Sequence, residues 1–439
     1  MSVQNYIRGT SAVEISGNIE RAILSGRLPA GTPLPTVRGC ARVLEVSPAT
    51  VSSAWRTLRD RGLIVTRGRR GSAVADQPPL PPLAAPPLPR GVRDLSAGNP
   101  DPALLPDLSP VLRGLDPPRR LYGEDLKDPA LVDLAAAQMS ADGLPAGRIT
   151  VVSGALDGLE RVMQAHLRPG DRVAVEDPAF SGVLSLLQPL SLVPVPVAID
   201  ERGMLPDSLE AALAADAGAI IATPRAQNPT GAALDAGRAR ALRSVLRRHS
   251  NVLVMEDDHA GPVSGAGSHT LAGVTDRWAV VRSFSKALGP DLRVAVVLGD
   301  DETTARVEGR QLMGMRWVSH ILQELVVALT RRRGHAARLR KAERTYTRRR
   351  EGLIEALAAH GIESTGRSGL NVWIPLPVET SVVQGLLEAG WLVAAGERFR
   401  LQSGPAIRVT IARLDRADAW LFAEALAAVL APAERTYLT

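Results

Sequence analysis

Ser283-Phe284-Ser285-Lys286-Ala287-Leu288-Gly289-Pro290-Asp291-Leu292-Arg293 sets one lysine between two apolar, β-like runs, Ala279 to Arg282 and Val294 to Leu298. A lysine that holds a carbonyl compound covalently needs hydroxyls and a guanidinium at fixed distances when that compound also carries a phosphate. Lys286, Ser283, Ser285 and Arg293 supply the set. The plainer explanation is a solvated loop lysine beside a chance arginine. The spacing, together with partners elsewhere in the chain, weighs against it.

Outward from this stretch, strand-like runs alternate with longer helical patterns from Asp94 onward: Arg172-Val-Ala-Val-Glu176, Ala219-Ile-Ile-Ala222, Val252-Leu-Val-Met255. That rhythm implies an α/β fold, a mostly parallel sheet covered by helices, with sites at the strand ends. Val151-Val-Ser-Gly-Ala-Leu-Asp-Gly-Leu-Glu160 reads as strand, tight turn and helix start. The amides of Ser153, Gly154 and Ala155 can cradle a phosphate there, although many strand-to-helix turns look alike.

Further segments fall in a fixed order: Glu176-Asp-Pro-Ala-Phe180, Asn228-Pro-Thr-Gly231, Glu256-Asp-Asp-His259 and Ala406-Ile-Arg-Val-Thr410. With the lysine stretch they resemble fold-type I enzymes dependent on pyridoxal 5′-phosphate (PLP), the aminotransferases above all. The resemblance implies that Lys286 links the cofactor as an aldimine. It also implies that Asp257 binds the pyridine nitrogen, Asn228 donates to the phenolic oxygen, Phe180 covers the ring and Arg408 grips an amino acid's carboxylate. A carboxylate on the ring nitrogen keeps it protonated and strengthens the ring as an electron sink. Each residue also has an ordinary reading: Asn228 in a turn, Asp257 as a helix cap, Phe180 in the core, Arg408 in a surface ion pair.

Three positions depart from that pattern. His259 stands where the family carries a tyrosine, putting an imidazole that titrates nearer neutral pH beside the phenolic oxygen. Leu156 and Asp157 stand where relatives carry polar amides, leaving the phosphate to backbone and Ser153. No arginine occurs around Leu184, where the family has a second anion grip. PLP binding, with at most weak transamination, is the expectation.

Charge divides the chain. Residues 1–76 hold 11 Arg, no Lys and 5 acids, and the remaining 41 basic and 41 acidic residues cancel. The excess of +6 thus sits in the first sixth, the footprint of a nucleic-acid-binding unit. Ala12 to Leu24 has helical spacing, and a helix from about Thr36 to Leu44 follows. Ser47 is a good N-cap and Pro48 suits the first helical position, while Val51, Ala54, Trp55 and Leu58 make an apolar stripe. Thr50, Ser52, Ser53, Arg56 and Arg59 remain for the outer side. Strands Leu63 to Thr66 and Ser72 to Ala75 flank a basic tip at Arg67, Arg69 and Arg70.

Helix, turn, helix and basic wing, with Ser25-Gly26-Arg27-Leu28-Pro29-Ala30-Gly31, Leu34-Pro35, Arg38, Val46-Ser47 and Thr50-Val51, resemble the GntR family of bacterial repressor domains. By that resemblance Arg38, Ser47, Thr50 and the wing arginines contact phosphates or base edges, and Ser52 and Arg56 lie on the same face. Relatives carry Arg at the positions of Pro48 and Ser52.

Seven of the twelve residues from Pro78 to Pro89 are proline. Such a run favours polyproline II, at about 3.1 Å per residue a semi-rigid spacer of roughly 50 Å. The expected domains are a winged helix-turn-helix at 1–76, a Pro-rich linker at 77–93 and an aminotransferase-like PLP-binding domain at 94–439. Together they resemble the MocR subgroup of GntR regulators. The implied protein is a transcriptional regulator that binds an operator in double-stranded DNA and senses an amino compound or PLP itself at Lys286, as a domain-swapped homodimer. The alternatives are a working aminotransferase with a fused DNA-binding unit and a DNA-bound scaffold that has lost covalent cofactor attachment. Cys40, alone in the chain, excludes an internal disulfide and a cysteine-cluster metal site and reads as a buried core thiol. No run approaches a membrane span and the N-terminus lacks the apolar stretch of a signal peptide, so a cytoplasmic protein is expected.

Overall fold

A computed structural model describes residues 6–24, 27–60, 63–66, 71–75 and 91–431. The chain divides into two compact units, Met1–Leu88 and Pro89–Thr439.

In the first unit, helices Ala12–Leu24, Val37–Leu44 and Pro48–Asp60 are followed by a hairpin of Ile64–Thr66 with Ser72–Val74, in register Ile64 to Val74 and Thr66 to Ser72. Thr36 caps the second helix by accepting from the Gly39 amide, and Ser47 Oγ accepts from the Thr50 amide at 3.1 Å to start the third. The apolar stripe of that third helix is buried: Val51, Ala54, Trp55 and Leu58 join Ile15, Ile19, Ile64 and Val74 in one core. Cys40 is in that core, and burial pushes its thiol up. The wing tip at 67–70 and most of the Pro-rich linker, 77–90, lie outside the described residues.

The second unit is built on an eight-stranded sheet, in spatial order Arg148–Val152, Ala295–Gly299, Arg277–Ser283, Leu253–Asp258, Ala217–Ala222, Arg172–Asp177, Val193–Asp200 and Gly203–Met204. Six strands run parallel; Ala295–Gly299 and Gly203–Met204 run against them. Ala295–Gly299 does so because residues 284–294, which return the chain from Arg277–Ser283, hold only single helical turns and no crossover helix of the kind that parallel neighbours require. Strand periodicity separates two cores. Val280, Val254, Ile220 and Val296 face one layer of helices, and Val281, Met255, Ile221 and Val297 face the other. Burial on both faces explains why these strands read as continuous apolar runs.

A second layer holds a three-stranded antiparallel sheet, Asn371–Pro375, Ala406–Thr410 and Ala394–Ala395, packed against the long helix His335–Ala359 and helix Arg416–Leu430. Arg93–Asp94 pairs in parallel with Trp391–Leu392, and the Arg93 guanidinium lies over the Trp391 ring at 5.0 Å. Arg93, the last residue of the expected linker, thus pairs within this unit.

Candidate functional site

The carboxyl ends of the parallel strands share one edge of the large sheet, and the segments singled out in the sequence follow those ends. Strand Arg277–Ser283 leads into the one-turn helix Ser285–Leu288, started by Ser283 Oγ, which accepts from the Ser285 amide at 3.2 Å and donates to Ser285 Oγ at 3.0 Å. Lys286 projects from that turn, half-buried, and its Nζ donates to the Gly98 carbonyl at 2.6 Å. Burial, then the charge of Arg408, draws the amine down to about 8, with Asp257 opposing.

Past Gly289 the chain turns back through Arg293, whose φ of 47° places a non-glycine residue in the left-handed region. Such strain costs on the order of 1–3 kcal/mol and persists where surroundings over-determine it. Here Arg293 Nη2 donates to the Ser153 carbonyl at 2.9 Å. Its guanidinium stands against Gly154, which has φ of 100°, and a Cβ there would lie 2.6 Å from Nη2. A side chain at 154 would be strained by that backbone and would displace the Arg293 guanidinium. Gly154 begins helix Ala155–His166, and that helix seats closely because a Cβ on Gly158 would meet Val281 at 2.7 Å. The Ser153 amide donates to Asp157 Oδ2 at 2.7 Å, so the acid that departs from the family pattern ties the first turn of the helix back to the strand end.

Strand Leu253–Asp258 delivers two aspartates with opposite fates, because successive side chains leave opposite faces of a sheet. Asp258 accepts from Arg225 Nε at 2.8 Å and Nη2 at 2.9 Å and from Arg282 Nε at 2.7 Å. Asp142 pairs with both arginines, each at 2.8 Å. Against burial, which pushes it up, the Arg225 and Arg282 guanidiniums hold the Asp258 carboxyl down at about 2. Asp257 has no such partners: Oδ1 is buried without a hydrogen bond and Oδ2 lies 3.7 Å from His259 Nδ1. Burial, then the charges of Asp258 and Glu176, pushes its carboxyl up to about 7. The neighbouring buried acids are all bonded, Glu176 by the Thr223 amide and Gln227, Glu256 by Thr270 and the Leu271 amide.

Burial pushes the His259 imidazole down to about 4, with Lys286 adding to the effect. This corrects the expectation of titration near neutral pH. Desolvation outweighs the nearby carboxylate, so the ring is neutral across the physiological range.

Asn228 follows strand Ala217–Ala222, and its Oδ1 accepts from Arg408 Nη1 at 3.0 Å and from Asn371 Nδ2 at 3.4 Å. A guanidinium can only donate, so these contacts fix which amide atom is oxygen and leave Nδ2 as the free donor. Arg408, on strand Ala406–Thr410, is buried rather than at the surface. Its Nη2 donates to the Ser96 carbonyl, its guanidinium lies over the Phe399 ring at 4.8 Å, and Nε is buried without a partner. Burial draws it down to about 10. Phe180 begins the helix Ser181–Leu187 half-buried, its ring and Leu156 closing on Gly182.

Several contributors were not read from the sequence: Gly98 and Ser96, which supply carbonyls, Asn371, and the Arg225–Arg282–Asp142–Asp258 cluster. Arg282 carried one clue, a charge inside an apolar strand, which a buried partner must answer.

In the first unit Arg38, Ser47 and Arg56 are exposed, and Thr50 and Ser52 are half-buried on the same helix as Arg56. The Ser47 and Thr50 hydroxyls are bonded to each other at 2.8 Å. Arg59 reaches across to Thr66 at 3.3 Å, tying the helix to the wing strand. Arg67, Arg69 and Arg70 lie outside the described residues.

A family model described as aminotransferase class I and II matches residues 92–426, and one described as bacterial regulatory proteins, gntR family, matches residues 11–74. The chain is 40% identical to the vitamin B6 salvage pathway transcriptional repressor PtsJ of Salmonella typhimurium over 417 residues, 94% of this chain and 96% of the relative. The chain belongs to the MocR-type GntR regulators. This MocR-type chain is also 27% identical to the HTH-type transcriptional regulator TauR of Rhodobacter capsulatus over 432 residues, covering 87% of this chain and 88% of that one. Among solved structures, it resembles the α-aminoadipate aminotransferase LysN of Thermus thermophilus, complexed with N-(5′-phosphopyridoxyl)-L-leucine, with a TM-score of 0.68 at 22% identity. That likeness covers 78% of this chain and 92% of that one and places the second unit in the fold-type I architecture.

Proposed function

We propose that this regulator binds PLP at the strand-end site and couples its occupancy to operator binding by the winged helix-turn-helix. The observation that carries the reading is the unsatisfied Asp257 Oδ1, buried among acids that all have donors. An orphaned carboxylate oxygen is costly, and the pyridinium N–H of the cofactor is the donor that would satisfy it. The relative named as a vitamin B6 salvage repressor supports the same reading.

PLP supplies an aldehyde for a lysine amine and an electron-withdrawing ring. Lys286, drawn down to about 8, is neutral in about a tenth of molecules at pH 7, against less than a thousandth for an ordinary lysine. Asn228 Nδ2 and neutral His259 offer hydrogen bonds to the phenolic oxygen, and Phe180 offers its ring face. Gly154 and Ala155 through their amides, Ser153, Ser283 and Ser285 through their hydroxyls, and Arg293 form the phosphate cradle, the Ser153 amide being held by Asp157. Arg408 is held by Asn228 and Ser96, in reach of an effector carboxylate at the same pocket. Gly154→Ala should push Arg293 aside and weaken PLP binding about tenfold or more, close to 1.4 kcal/mol. Pyridoxal, which lacks the phosphate, should bind the variant as it binds the parent; an equal loss for both would remove Arg293 from the phosphate role.

On the DNA side, Arg38, Ser47, Thr50, Ser52 and Arg56 form the helical contact face and Arg67, Arg69 and Arg70 the wing. Removing the three wing arginines should flatten the dependence of log K on log salt by about 0.9 per lost phosphate contact and weaken most sequences alike. Arg38→Ala should instead relax discrimination between sites by about 1–3 kcal/mol. Competition binding against scrambled duplexes separates the two effects.

The protein acts as a homodimer in this reading. Tyr122 and Met313 are 79% and 80% exposed, and Leu121, Leu312 and Ile321 are exposed as well. Tyr122 meets Trp317 edge-on at 5.5 Å, and exposed apolar side chains on the two segments, 121–122 and 312–321, are the candidates for the contact. Tyr122→Asp with Met313→Asp should yield monomers in light scattering; an unchanged mass would place the interface elsewhere.

A further inference from the structure

The charge balance of the second unit conceals a local excess. Residues 331–350 contain ten arginines and lysines and one acid, Glu343. Arg349 pairs with Asp101 at 2.9 Å and Arg350 is buried on the Gly369 carbonyl, so those two have structural duties. The arginines at 331–333 and Arg340, Lys341, Arg344 and Arg348 are exposed, and none of them makes an ion pair among the described residues.

Their placement is ordered. On helix His335–Ala359 the residues Arg340, Arg344 and Arg348 follow at intervals of four and so line one face, with Lys341 beside them. Like charges at that spacing weaken a helix, and among the described residues no acid on a neighbouring element pairs with them. The three arginines span about 12 Å, a length over which one strand of B-DNA presents three to four phosphates. A row of guanidiniums at that pitch, none of them ion-paired among the described residues, complements a phosphate backbone.

We propose that this face of the effector unit is a second contact for duplex DNA, independent of sequence, beyond the helix-turn-helix. The proposal rests on the reading of the protein as a DNA-binding regulator. Phosphate contacts there would hold DNA flanking the operator and add affinity without altering which site is chosen.

The test compares full-length wild type with Arg340→Gln/Arg344→Gln/Arg348→Gln and with a control of equal charge loss on the same unit, Arg172→Gln/Arg240→Gln/Arg247→Gln. Binding to a duplex extending well beyond the operator is measured across a salt series, with circular dichroism confirming the fold of each. The helix variant should lower the magnitude of the salt slope by about 2 to 3, near 0.9 per contact, with at least a tenfold affinity loss at low salt and an unchanged preference for the operator. The control should lose far less. A helix variant indistinguishable from the control overturns the proposal while leaving the regulator reading standing. Wild type that binds no DNA sinks both. Unchanged DNA binding with lost adsorption to anionic vesicles would reassign the face to lipid and likewise overturn it.

Discussion

Lys286→Ala should abolish the visible absorbance that PLP acquires on covalent attachment, and leave no borohydride-stable adduct, while the chain keeps its fold. The fold survives because Lys286 makes one hydrogen bond, to the Gly98 carbonyl, and contributes nothing to either apolar core. Residual cofactor affinity should persist, since the phosphate cradle, Asn228 and Asp257 remain. The loss of attachment is complete because no other lysine is placed at the strand-end edge: Lys127 is paired with Glu308 at 2.6 Å, and Lys341 lies on the exposed face of the long helix. A stable adduct in the variant, located by peptide mapping, would show that another amine is the anchor.

Asp257→Asn should have opposite effects on stability and on binding. In the folded chain Asp257 keeps its proton up to about pH 7, while unfolded it releases it near the ordinary 3.8. Folding therefore takes up a proton between those limits, and the stability of the cofactor-free protein falls as pH rises through that window. Asparagine carries no such penalty, so the cofactor-free variant should be more stable than wild type above pH 7, by an amount on the order of 2–4 kcal/mol. PLP affinity should fall about tenfold to a hundredfold, because a charge-assisted bond to the ring N–H is replaced by a neutral one. In wild type the affinity should rise from pH 6 to 8, as Asp257 gains its charge and Lys286 loses its own. Melting curves with and without cofactor across that range check both parts; a variant less stable than wild type at pH 8 would mean that Asp257 is already satisfied.

The local placement of the candidate residues was largely legible in the sequence. Lys286, Asp257 and Asn228 lie in short motifs whose neighbours in sequence are also their neighbours at the strand ends, and Ser47 with Pro48 starts a helix by rules that act within four residues. What escaped reading depends on distant pairing. Arg408 turned out to be buried and held by Asn228 and Ser96, partners 180 and 312 residues away. Whether His259 titrates near neutral pH depends on how deeply it is buried, and burial is set by packing from several elements. The Arg225–Asp258–Arg282 cluster hides for the same reason. The basic face escaped because a charge count over a whole domain averages away a patch on one helix.

The central claim is that cofactor occupancy at Lys286 and DNA binding are linked. Its most direct test is the affinity of full-length protein for the region upstream of its own gene, measured at fixed salt without PLP and with PLP at saturation. The expected result is a change of roughly fivefold or more, a coupling of about 1 kcal/mol or above, which disappears in Lys286→Ala. Equal affinities with and without PLP in wild type would contradict it.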